Sequence, residues 1–94
     1  MKSLEYYKAE ILPILNRYNV KKAAFFGSIV KETFNEESDI DLLVELPGDM
    51  SLLDLIDLKH AIEDHIHRKV DLGEFAAIKK QLKDHILDEQ VAII

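Results

Sequence analysis

Apolar residues recur at steps of three and four near the start of the chain: Leu4, Tyr7, Ile11, Ile14, Leu15 and Tyr18. That spacing places them on one face of an α-helix, with Ser3 where a helix takes its N-cap. Pro13 falls late in the stripe and predicts a kink or a break. Residues 20–26 (VKKAAFF) end in aromatics and stop at Gly27, as a short strand does. A short helix is expected over residues 28–33, then a second strand over residues 38–46 (SDIDLLVEL), closed by the turn Pro47-Gly48-Asp49. Ser51 opens a second long helix with Asp54 as its capping-box partner. Its apolar stripe is Leu55, Leu58, Ile62 and Ile66, with Asp54, Asp57 and Asp64 off it. His65, His67, Arg68 and Lys69 follow at its end, where positive charge complements the helix dipole. Residues 69–72 (KVDL) predict a third strand that stops before Gly73. Ile78, Leu82 and Ile86 predict a last helix, and the final VAII reads equally as a helix end or a short strand. Helices alternating with strands give a small α/β (α+β) domain: a short mixed β-sheet with helices packed on it, a single domain over residues 1–94.

Composition narrows what such a domain does. Of the 94 residues, 48% are apolar and 32% charged, enough to pack a core and too apolar for disorder. The 18 acidic and 12 basic side chains give a net charge of −6, which argues against direct binding of nucleic acid through overall charge. It leaves metal ions and basic protein surfaces as partners. There is no cysteine, so thiolate metal sites, disulfides and Cys nucleophiles are excluded. The N-terminal stretch is amphipathic with no apolar signal region, and no apolar run is long enough to span a membrane. A cytoplasmic location is expected.

The chemistry concentrates in Gly27-Ser28, then ten residues, then Asp39-Ile40-Asp41. Gly27 lets backbone approach a ligand closely, the N–H groups of the following turn suit a phosphate, and Ser28 adds a hydroxyl donor. Asp39 and Asp41 leave the same face of a strand about 6–7 Å apart. Two such carboxylates repel unless a cation lies between them. Mg²⁺ binds through one or two carboxylates plus substrate phosphates. Ile40, Leu42 and Val44 anchor the opposite face. A third acid, Asp71, sits between Val70 and Leu72 in a strand, where Asp is depleted. Together these residues predict phosphoryl or nucleotidyl transfer, with two metal ions held by Asp39, Asp41 and Asp71. Asp71 would take the proton from an attacking hydroxyl.

The segment FFGSIVKETFNEESDIDLLVEL, with its G-S-x10-D-x-D pattern and the later VDL, resembles the minimal nucleotidyltransferase (MNT) family of the DNA polymerase beta-like superfamily. The resemblance covers nearly the whole chain. It implies a nucleotidyltransferase-like fold, with Gly27 and Ser28 as the triphosphate turn, Asp39 and Asp41 as the metal pair and Asp71 as the third carboxylate. It further implies an antitoxin that moves AMP from ATP to a tyrosine of a HEPN-domain toxin, a ribonuclease. Members often carry Arg directly after Gly-Ser and a second Arg-Gly beyond. Here Ile29, Lys31 and Glu32 stand in those places. Lys31 is then the remaining cation for nucleotide binding, a point charge in place of a fork.

Two other functions compete. One is a non-catalytic antitoxin that neutralises a HEPN RNase by binding alone, suggested by the acidic charge and by Ile29, in a homo- or hetero-oligomer. The other is a small-molecule nucleotidyltransferase, which would need a substrate domain. The four histidines (His60, His65, His67, His85) lack zinc-site spacing and read as a solvated helix face.

Overall fold

The computed structural model describes residues 3–30, 35, 38–77 and 91–94. Ser3 starts α1 (Leu4–Arg17), its hydroxyl accepting the Tyr6 N–H at 3.3 Å. The helix runs through Pro13 to Arg17, so no break occurs there. Ile11, Ile14 and Leu15 on either side of the proline are at most 2% exposed. Burying each stabilises by about 1.5–3 kcal/mol, which together outweighs the roughly 3 kcal/mol cost of a helical proline. Asn19, left-handed at φ 57°, then turns the chain, and the Val20 N–H bonds back to the Leu15 carbonyl at 3.1 Å.

The strands are β1 (Lys22–Phe26), β2 (Ile40–Glu45), β3 (Val70–Glu74) and β4 (Val91–Ala92), in the sheet order β3-β2-β1-β4. β2 runs antiparallel to β1 and parallel to β3, while β4 runs antiparallel to β1. The sheet is therefore mixed, and the chain is α+β as expected. The parallel pair β2–β3 is joined by α2 (Leu52–Ile66), the crossover that parallel strands need. The Ser51–Asp54 capping box is present: the Asp54 N–H reaches the Ser51 hydroxyl at 3.4 Å and the Ser51 N–H reaches Asp54 Oδ2 at 2.8 Å.

Both helices pack on one face of the sheet. Tyr7, Ile11, Ile14 and Leu15 from α1, and Leu58, Ile62 and Ile66 from α2, meet Ala23, Phe25, Ile40, Leu42, Val44 and Val70. The opposite face carries a smaller apolar group, Ala24, Leu43 and Phe75, with Phe26 against it. The acids Asp41 and Asp71 belong to this second face by strand alternation.

Four expectations change. The short helix after Gly27 is a single 3-10 turn, Gly27–Val30; the rest of its expected span is outside the described residues. The second strand begins at Ile40, so Asp39 precedes the strand. β3 runs through Gly73 to Glu74 because Gly73 pairs with Leu43 inside the parallel ladder. VAII contributes a strand: Val91 and Ala92 pair with Phe25 and Ala24, and the buried Ile93 bonds to the Ala23 carbonyl at 2.8 Å. The predicted helix over Ile78, Leu82 and Ile86 lies outside the described residues. His60, His65 and His67 are exposed on α2 and its cap, as a solvated face requires. His65 Nε2 lies 3.0 Å from Glu10 Oε2.

Candidate active site

Three strand ends meet at one place: β1 finishes where β2 and β3 begin. Phe26, the last residue of β1, pairs with Asp41, and Asp41 pairs in parallel register with Asp71. The sheet thus sets the two acids on adjacent strands, side chains on the same face, at the roughly 4.8 Å strand spacing. Asp39 comes two residues before Asp41. The register leaves no freedom, because a one-residue slip would turn Asp41 into the apolar core and Ile40 out of it. Ile40, Leu42 and Val44, none more than 0% exposed, oppose that slip.

Gly27 faces the Asp41 carboxylate. Its φ is +73°, and a Cβ built there would run into Asp41 Oδ2, with Cγ at 3.1 Å. Glycine is therefore required twice: by the left-handed backbone and by the space the Asp41 carboxylate fills. The Asp41 carboxyl titrates above its usual range, first because it is partly desolvated and then because Asp71 and Asp39 add negative charge. The site is a concentrated negative potential on hard oxygen donors, the chemistry that suits Mg²⁺. Among the described residues, no three acidic or histidine side chains close round one point as a finished ion cage. Asp41 and Asp71 stand in register side by side, and Asp39 is near enough to act on the Asp41 carboxyl. Mg²⁺ commonly takes its remaining ligands from substrate phosphates and water, so an open set of acids fits it.

The other predicted site residues fall unevenly. The Ser28 backbone lies in the 3-10 turn beside Gly27, while its side chain and the whole of Lys31 are outside the description. Ile29 is 6% exposed and packs into the main core. Position 29 thus points inward, away from any phosphate.

Supporting residues to which the sequence assigned no part in the site act on the chain around the starts of β2 and β3. Glu63 Oε2 accepts the Val70 N–H at 2.9 Å, and the Lys69 carbonyl accepts the Ile40 N–H at 2.9 Å. Arg68 donates to the Ser38 carbonyl at 2.5 Å and the Asn35 carbonyl at 2.7 Å. Their spacing to the acid motif carries no signal, since backbone carbonyls look alike in a sequence.

The architecture is that of a minimal nucleotidyltransferase. A solved structure described as a candidate of that class superposes with a TM-score of 0.82 at 28% identity, over 94% of this chain and 90% of that one. The complex of a tri-AMPylated Shewanella oneidensis HEPN toxin with its MNT antitoxin shares the fold, with a TM-score of 0.74 at 15% identity, over 96% of this chain and 71% of that one. Among curated sequences, a Methanocaldococcus jannaschii protein named as a candidate protein adenylyltransferase is 42% identical over 87 residues, 93% of this chain and 94% of that protein. The family model "Polymerase beta, Nucleotidyltransferase" matches residues 9–94. The chain belongs to that family and is a nucleotidyltransferase.

Proposed function

We propose that the chain is a protein adenylyltransferase that moves AMP from ATP to a hydroxyl, in the first instance a tyrosine, of a HEPN-type toxin, and so acts as its antitoxin. One observation carries the reading: Asp41 and Asp71 in register on adjacent strands, beside a left-handed glycine against which the Asp41 carboxylate packs. The M. jannaschii relative and the toxin–antitoxin neighbour support the choice of acceptor.

Asp39, Asp41 and Asp71 would hold Mg²⁺, two ions in the fullest arrangement. When bound, these ions neutralise charge on the phosphates and on the attacking and leaving oxygens. The Gly27-Ser28 turn presents backbone N–H groups to the triphosphate, and Lys31 adds a point charge. The chain's own residues then have two tasks. Asp39 and Asp41 would hold the ions and, through them, the α-phosphate in line with the acceptor oxygen. Asp71 receives the hydroxyl proton as the new O–P bond forms and the bond to pyrophosphate breaks. The acceptor hydroxyl comes from the partner.

The test is transfer of label from α-labelled ATP to the co-expressed toxin in the presence of Mg²⁺. Label on the toxin with wild type, and none with Asp39→Asn, is the expected result. If both proteins neutralise the toxin equally and neither labels it, inhibition by binding alone replaces the enzymatic reading.

A further inference from the structure

Asp39 sits outside β2, so the strand ladder does not fix its backbone. The link between α2 and β3 does. His67 ends α2 in a left-handed conformation, φ 57° and ψ 40°, with its N–H on the Glu63 carbonyl at 2.8 Å. This turn brings Arg68 against the chain that leads into β2. Arg68 Nη2 donates to two carbonyls of that chain, Asn35 at 2.7 Å and Ser38 at 2.5 Å. Nη1 donates to the Tyr7 hydroxyl at 3.2 Å, and the guanidinium lies 5.8 Å from the Tyr7 ring centroid. Tyr7 is 3% exposed in the α1 face of the core, so the far end of this bridge is anchored.

The next residue completes the grip. The Lys69 carbonyl accepts the Ile40 N–H at 2.9 Å. The Ser38 carbonyl belongs to the peptide unit before Asp39, and the Ile40 N–H to the one after it. Both peptide planes flanking Asp39 are therefore held from the α2–β3 link, and two fixed planes fix the φ and ψ between them.

We infer that Arg68 is a positioning residue: its guanidinium sets the backbone of Asp39 so that its carboxylate lines up with Asp41 and Asp71. The inference rests on the reading that Asp39 serves the transfer site. The geometry needs arginine in particular. A planar fork gives one nitrogen to two carbonyls and another to a phenol at once, whereas an ammonium at the same place is a compact charge without that spread. Helix-dipole complementation, the role the sequence suggests for Arg68, would be met equally by lysine. The two roles therefore separate on one conservative change.

The experiment uses the full chain as wild type, Arg68→Lys, Arg68→Met and Tyr7→Phe. Backbone amide hydrogen exchange is followed at Ile40 and, as an internal reference, in the buried parts of α1 and α2. Mn²⁺ is titrated as the probe ion. For a partner that orients a metal ligand, the expected loss of Mn²⁺ affinity is about 10–100-fold. Arg68→Lys is expected to show this loss and faster exchange at Ile40, while the helix amides keep wild-type protection. Tyr7→Phe is expected to give a smaller change in the same direction. If Arg68→Lys keeps wild-type exchange at Ile40, the clamp is refuted, and this variant decides even where Arg68→Met fails to fold. If exchange at Ile40 changes but wild type binds no Mn²⁺, the clamp stands and the proposed transfer site falls.

Discussion

Replacing Gly27 with alanine probes the site's geometry without touching an ionisable group. Two penalties apply. Alanine at φ +73° pays about 1–2 kcal/mol for left-handed backbone. The new Cβ would collide with Asp41 Oδ2, so that carboxylate must leave its rotamer, at about 0.5–1.5 kcal/mol. Alanine returns about 0.4–1 kcal/mol by restricting the unfolded chain. The net is a loss of about 2 kcal/mol. In a domain of this size 1 kcal/mol moves the midpoint by about 4–8 °C, so Gly27→Ala should melt about 8–16 °C below wild type. Gly48 supplies the control. A Cβ there meets nothing within 4 Å and its φ is not left-handed, so Gly48→Ala should melt at or slightly above wild type. Thermal unfolding followed by circular dichroism reads both. Repeating the scans with Mn²⁺ should raise the wild-type midpoint more than that of Gly27→Ala, because the Asp41 carboxylate is then displaced from its place beside Asp71. Equal midpoints for the two alanine variants would refute the claim that Asp41 fills the space beside Gly27.

Asp41→Asn should stabilise the metal-free protein at neutral pH, by a margin that solvent screening of a half-buried group keeps small. The sign follows from linkage: the folded state holds the Asp41 proton above its ordinary value of 3.8, so stability falls as pH rises from there through the raised native value. Denaturant titrations across that window should show a flatter pH profile for the variant, and a steeper one would contradict the assignment. Ser51→Ala removes one arm of the α2 capping box and should cost about 1 kcal/mol, read as a lower urea midpoint at unchanged slope. His67→Gly relieves a left-handed non-glycine residue and should leave stability equal or up to about 1 kcal/mol higher; a loss would mean the His67 side chain contributes more than its backbone costs.

Elements with strong local periodicity were legible in the sequence. The α1 stripe and the α2 capping box appear where Tyr7, Ile11, Ser51 and Asp54 placed them, because helices are set by residues three and four apart. Ile40, Leu42 and Val44 likewise announced which face of β2 is buried. Asp41 was legible through its spacing from Gly27-Ser28, and Asp71 as an acid in an apolar strand. That the two stand side by side became visible only through the parallel register of β2 and β3, a pairing no local pattern encodes. At Pro13 the helix continues without the break that was one of the two expected outcomes, because packing, which the local rule ignores, decides it. Ile29 read as a missing cation, whereas the 3-10 turn rotates it into the core. Arg68 was the least legible: its partners among the described residues include a phenol and two carbonyls from segments far away in sequence, and only the folded chain brings them within reach.

The pairing of β4 with β1 has a consequence for the edge of the sheet. β1, β2, α2 and β3 follow one another along the chain. β4 must bring Ala92 beside Ala24, closing more than two thirds of the chain for two residues of ladder. Until that pairing forms, the backbone groups of β1 at this edge are open, and an open strand edge is a template for pairing with another chain. A strand of two residues therefore protects an edge of the sheet while contributing none of the acids of the candidate site.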